Sequence, residues 1–138
     1  MNIVIAIAAL AVSVFSALGF WKAGKFKAGA SKETLLGAGM GWVKNLPIGI
    51  VRVVAWLELL GAIGVVLAPI TAYTLPGFEW AQFVGILAGA GLALTMLVAF
   101  IMHLVRGEAK YTWKVNTQMF LIAVFAIVLQ ALVTLPIF

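Results

Sequence analysis

The apolar segments of this chain carry very little reactive chemistry, and Glu58 stands out among what they do carry. It lies near the middle of the run 47–69, whose only other charge is Arg52. An ionised carboxylate at mid-bilayer depth costs roughly 2.5–3.5 kcal/mol on insertion scales. A chain that keeps one there pairs it, protonates it or turns it toward a polar cavity. Glu58 is therefore the first candidate for proton handling. The plainer reading is a protonated, hydrogen-bonded carboxyl that serves packing alone.

Arg52 is poorly spaced as its counter-ion. Six residues separate the two by about 9 Å along a helix axis and about 120° around it. An arginine near a helix end also extends toward the head groups. Counting depth across antiparallel spans gives Ser13 and Thr95 as neighbours, with Ser16 one turn nearer the basic side. Hydroxyls cannot neutralise a carboxylate, and desolvation without a cation disfavours the charged form. On that ground Glu58 is expected to be largely neutral.

A second polar layer, Lys22, Arg52, His103, Asn116 and Gln118, falls at the boundary of the apolar runs. Arg52 and His103 together could hold the polar head of an amphipathic molecule whose tail lies between helices. The bland alternative is a set of ordinary interfacial side chains and a structural histidine. One histidine and scattered carboxylates do not supply three convergent ligands, so no metal site is expected. The absence of cysteine removes disulfides, thiolate nucleophiles and iron–sulfur ligation. A lone histidine also rules out a haem held by two histidines of one chain. No intrinsic cofactor is expected, and any electrons must come from a diffusible carrier or a partner.

The elements that position these residues follow from composition. Of 138 residues, 65% are hydrophobic and 9% charged, against about 45–50% and about 25% in soluble domains. This is the composition of an integral membrane protein. Apolar runs at 2–21, 48–69, 80–104 and 116–135 are each long enough to cross a hydrocarbon core about 30 Å thick. The first run has no basic flank before it and no clear small-x-small cleavage site, so it reads as a retained span. Residues 1–138 form one domain, an all-α antiparallel four-helix transmembrane bundle.

Lys22, Lys25, Lys27, Lys32 and Lys44 fill the first loop, and Arg106, Lys110 and Lys114 the third, while the middle loop has no Lys or Arg. The positive-inside rule places loops one and three in the cytoplasm and both termini outside. The net charge of +5 is explained by topology and anionic lipid, not nucleic acid. Ala81, Gly85, Gly89 and Ala93 form a small-residue stripe on the third span, and Ala55, Gly61 and Ala62 share the Glu58 face of the second. Such stripes let helix backbones approach closely in lipid. Ser31 is placed to cap a short helix in the first loop, with Glu33 in its first turn.

These residues resemble a known family. Met40-Gly41-Trp42-Val43 followed by Arg52, Glu58, Gly61, Gly64 and Pro69 is similar to the first-loop and second-span signature of the DoxX-like membrane proteins. Gly19 and Lys22 after span one, His103, Arg106, Gly107 and Glu108 after span three, and Asn116 opening span four resemble its remaining motifs. The matches fall in order along nearly the whole chain. Ala55 departs from the pattern, since relatives often carry glycine there.

The resemblance implies a bacterial inner-membrane protein in which Lys22, Arg52, Glu58, His103 and Asn116 are the functional residues. Family members have been linked to quinone-dependent sulfur oxidation and to redox-stress complexes, and distant relatives to receptor assembly. The leading expectation is therefore an accessory subunit of a membrane oxidoreductase that binds a quinone or lipid between helices. It would work with another membrane or peripheral protein, and catalysis by the chain alone is not expected. The alternatives are a non-catalytic scaffold, with homo-oligomers through a free seam, and a small proton-coupled exporter. Known exporters of that size carry their glutamate in the first span.

Overall fold

The computed structural model describes residues 1–134, all of whose regular structure is helical. Four long helices, each apolar enough to cross a membrane, run as α1 (Ile3–Gly29), α3 (Ile48–Thr74), α4 (Ala81–Val105) and α5 (Ala109–Thr134). The protein is a multi-pass membrane protein built as an all-α four-span bundle. Each long helix packs against its neighbours in chain order, and α1 closes the ring against α5. Residue 135, at the end of the expected fourth span, lies outside the described residues.

The first helix is longer than its apolar run. Asn2 starts it, its side chain accepting from the backbone N–H of Val4 and Ile5. It then continues past Trp21 to Gly29. Lysines in a final helical turn favour its partial negative charge, so the charges that end the hydrophobic stretch do not end the helix. Its buried face, Ser13, Ser16, Phe20, Gly24 and Lys27, keeps helical spacing across that boundary.

The first loop folds into a cap. Ser31 accepts from the backbone N–H of Thr34 and opens α2 (Lys32–Gly37), which leads into a 3₁₀ helix (Gly41–Asn45). Leu35, Val43 and Val51 form a separate small core beneath it, and the Lys32 ammonium donates to the Leu46 carbonyl at 2.9 Å.

The end of the bundle away from the lysines is locked by one side chain. Pro69 lies inside α3 and has no N–H to give the carbonyl of Val65, one turn earlier. Gln130 of α5 donates its Nε2 to that carbonyl at 3.0 Å and also to Ser13 Oγ at 2.8 Å. Gln82 of α4 in turn donates to the Gln130 backbone carbonyl at 2.9 Å. A single glutamine thus ties all four long helices together. Gly85 makes room for it: a Cβ there would sit 2.6 Å from Gln130 Oε1 and 2.9 Å from Pro69 Cδ.

Two glycine substitutions on α4 test this packing. Gly85→Ala is expected to lower the unfolding midpoint in detergent by an amount equivalent to 1–3 kcal/mol, roughly the cost of an overpacked core. Gly91→Ala, where a Cβ meets nothing within 4 Å, should be neutral or stabilising by up to about 1 kcal/mol through helix propensity. Equal effects would remove the close-approach explanation.

Candidate functional site

At the basic end the four long helices and the cap enclose a cavity of about 670 Å³. Volumes of this size are typical of small-molecule sites, whose walls are mostly apolar with a few convergent polar groups. Here Met40, Trp42, Met96 and Met102 supply apolar wall, while Lys27, Glu58, Thr95, His103 and Asn116 supply the polar groups. Leu57 of α3 and Leu94 and Val98 of α4 also line it, yet each remains more than half exposed. The cavity is therefore open sideways, between α3 and α4, at the depth of lipid.

Glu58 is 1% exposed and meets the Lys27 ammonium, 2.6 Å from its Oε1. The expectation of a neutral carboxyl rested on there being no cation in reach, and Lys27 removes that premise. Its position in the basic loop hid it, because α1 extends far enough to bring it back against α3. The signal available was the helical spacing of Ser13, Ser16, Phe20, Gly24 and Lys27. Gly24 permits the approach: a Cβ there would lie 2.9 Å from the Ala55 carbonyl oxygen.

Arg52 does not join His103. Its guanidinium donates to the backbone carbonyl of Lys27, one of the carbonyls left free at the end of α1. It thereby fixes the residue that pairs with Glu58 without lining the cavity itself. Its role is positional.

His103 binds elsewhere. Its Nδ1 lies 2.9 Å from Glu108 Oε2, and Arg106 Nε donates to Glu108 Oε1 at 3.1 Å. A carboxylate only accepts, so Nδ1 carries a proton and donates it to Glu108. This cluster also meets the cap, because a Cβ on Gly41 would lie 3.1 Å from Arg106 Nη2 and 3.2 Å from Glu108 Oε1. The hydrogen bond from His103 holds the Glu108 carboxyl below its ordinary value of 4.5; desolvation opposes it, and the hydrogen bond and charge of Arg106 add smaller contributions downward.

The remaining expected residues divide between places. Thr95 lines the cavity at Glu58's side, its hydroxyl donating to the Gly91 carbonyl at 2.9 Å. Asn116 is 9% exposed and also lines it. Lys22, Ser16 and Gln118 instead line a smaller groove of about 330 Å³ between α1 and α5. Ser13 belongs to the Gln130 lock, fourteen residues or about 21 Å along α1 from Lys27, and is not level with Glu58. Sequence reasoning missed Gln130 and Gln82 as well as Lys27. Gln130 is the only polar side chain in 119–133, and that isolation was the readable clue.

Two buried polar atoms on the cavity residues have no hydrogen-bond partner among the described residues: Glu58 Oε2 and Asn116 Nδ2. One is an acceptor and the other a donor. An unpartnered buried polar atom costs about 1–3 kcal/mol, and both belong to residues that line the cavity.

Residues 5–130 match the DoxX-like family. The chain belongs to the DoxX-like family. Among curated proteins and among solved structures, none matches it. The family match spans α1 and nearly all of α5, and so includes every residue of the cavity in this DoxX-like protein.

Two outcomes are expected for these charges. Lys27→Ala strands a buried carboxylate and should destabilise the protein by about 3–5 kcal/mol, whereas Lys27→Met combined with Glu58→Leu should recover most of that loss. Detergent unfolding midpoints of the single and double variants check this, and a Lys27→Ala protein as stable as the parent would refute the pair. The second concerns pH. Because the folded carboxyl of Glu108 titrates below 4.5, its contribution is complete above that pH and is lost as pH falls through the lower folded value. Amide protection factors at Gly41–Asn45, which remove the intrinsic pH dependence of exchange, should fall on such acidification, and in Glu108→Gln they should be low already at neutral pH.

Proposed function

We propose that this protein binds a quinone or a similar lipid-soluble molecule between its helices, as an accessory subunit of a redox complex in a bacterial inner membrane. The observation that carries the reading is the lateral cavity with a buried ion pair at its wall and two unpartnered polar atoms on it. Its shape suits an amphipathic ligand: the polar head lies near Glu58, Lys27 and Asn116, and the tail leaves between α3 and α4. Met96, Met102 and Trp42 offer soft, polarisable walls to a flat ring. A carboxylate in a dry site beside an ammonium is also suited to exchange a proton with a ligand that changes its own protonation.

Electrons enter and leave through the ligand and a partner protein. The cap and the His103–Glu108–Arg106 cluster are the surface nearest the cavity on the side where such a partner would meet the molecule.

The test is retention of ligand by the purified protein. Chain extracted from a quinone-containing bacterial membrane in mild detergent should carry up to about one prenylquinone per chain, measured by native mass spectrometry. Thr95→Phe, which fills the cavity beside Glu58, should carry at least tenfold less at unchanged yield. A parent protein with no retained quinone, or a variant that retains it equally, would remove this reading.

A further inference from the structure

Hydrogen-bond bookkeeping around the cavity distinguishes the two redox forms of a quinone-type ligand. This step rests on the reading above and deepens it. Glu58 Oε1 already accepts from Lys27, and Oε2, buried and unpartnered, can only accept further hydrogens. The Thr95 hydroxyl has committed its hydrogen to the Gly91 carbonyl, so what it still presents is an acceptor. Two of the polar groups on the wall thus ask for a hydrogen. Asn116 Nδ2 offers one. Lys27 has further ammonium hydrogens that can reach an oxygen of any kind, so it does not discriminate.

A quinone has two carbonyl oxygens and no hydrogen to give. Placed here, one carbonyl accepts from Asn116, and the other faces the lone pairs of a buried carboxylate. A quinol has two hydroxyls, each both donor and acceptor. One hydroxyl donates to Glu58 Oε2, and the other accepts from Asn116 while its own hydrogen is free for an acceptor on the wall. We infer that the cavity selects the reduced, dihydroxy form of its ligand, with Glu58 as the residue that sets the preference and Asn116 as a donor indifferent to it. Leaving a buried polar group facing a ligand that lacks the matching hydrogen is the strongest known way for a site to reject a near-isostere.

The experiment compares decylubiquinol and decylubiquinone binding to the full chain in detergent by anaerobic isothermal titration. The expected result is at least tenfold tighter binding of the quinol. A redox titration of the bound couple should agree, with a midpoint raised by about 30 mV for each tenfold of preference. Glu58→Gln supplies an amide N–H in place of the carboxylate oxygen, and should lower the quinol-to-quinone ratio at least tenfold. Asn116→Ala should weaken both forms alike and leave the ratio unchanged. Equal affinities in the parent, or tighter quinone binding, would overturn the selectivity while leaving a quinone-type site standing. An unchanged ratio in Glu58→Gln would overturn the role of Glu58. Binding of neither form would overturn the proposed function, and this inference with it.

Discussion

The basic half of this molecule depends on one contact, the pairing of the Lys27 ammonium with the Glu58 carboxylate. Neither charge is tolerable alone at that depth, and each explains the geometry of the other's helix. Lys27 can reach Glu58 only because α1 continues to Gly29 and because Gly24 lets it pass close to α3. Arg52 then holds the end of α1 in register through the Lys27 carbonyl. Burying an ion pair gains little unless its remaining lone pairs are also satisfied. Glu58 Oε2 is not, which marks the pair as unfinished from the standpoint of stability alone. Glu58 is also a residue of the cavity wall.

The bundle itself was legible in the sequence. Four apolar runs, small-residue stripes on the second and third spans, and the Ser31 cap all correspond to elements in place. Helix ends were less so, because hydropathy reports where a chain meets water and not where its backbone hydrogen bonds stop. That difference is small in residues and large in consequence: it separates a lysine in a loop from a lysine inside the bundle. Thr95, reached by depth counting, lines the same cavity as Glu58. The count failed for Ser13, because the offset between α1 and α3 is fixed by the extension past Trp21. Lys22 and Gln118 lie at the depth of the cavity, where Ala23 and Asn116 line it, but face the α1–α5 seam instead. A residue can be assigned to the right depth and still belong to a different site.

Proline and glutamine at the opposite end show how a helix defect becomes an anchor. Pro69 costs α3 a backbone hydrogen bond, and the freed Val65 carbonyl is the point at which Gln130 takes hold. Because Gln130 also meets Ser13 and Gln82, the defect on one helix is shared by four. Gly85 is the space that makes the arrangement possible, and the small-residue stripe on α4 is in part a consequence of it.

A bundle riveted at one level moves like a peg with a fixed pivot. The basic ends lie about four turns away along α1, where Lys27–Glu58 and Arg52 hold α1 to α3 and no side-chain hydrogen bond among the described residues holds α3 to α4. The lateral mouth of the cavity, between α3 and α4, lies at that far end. A lipid-soluble guest would come and go by parting those ends from within one leaflet, without the opposite face of the protein ever opening.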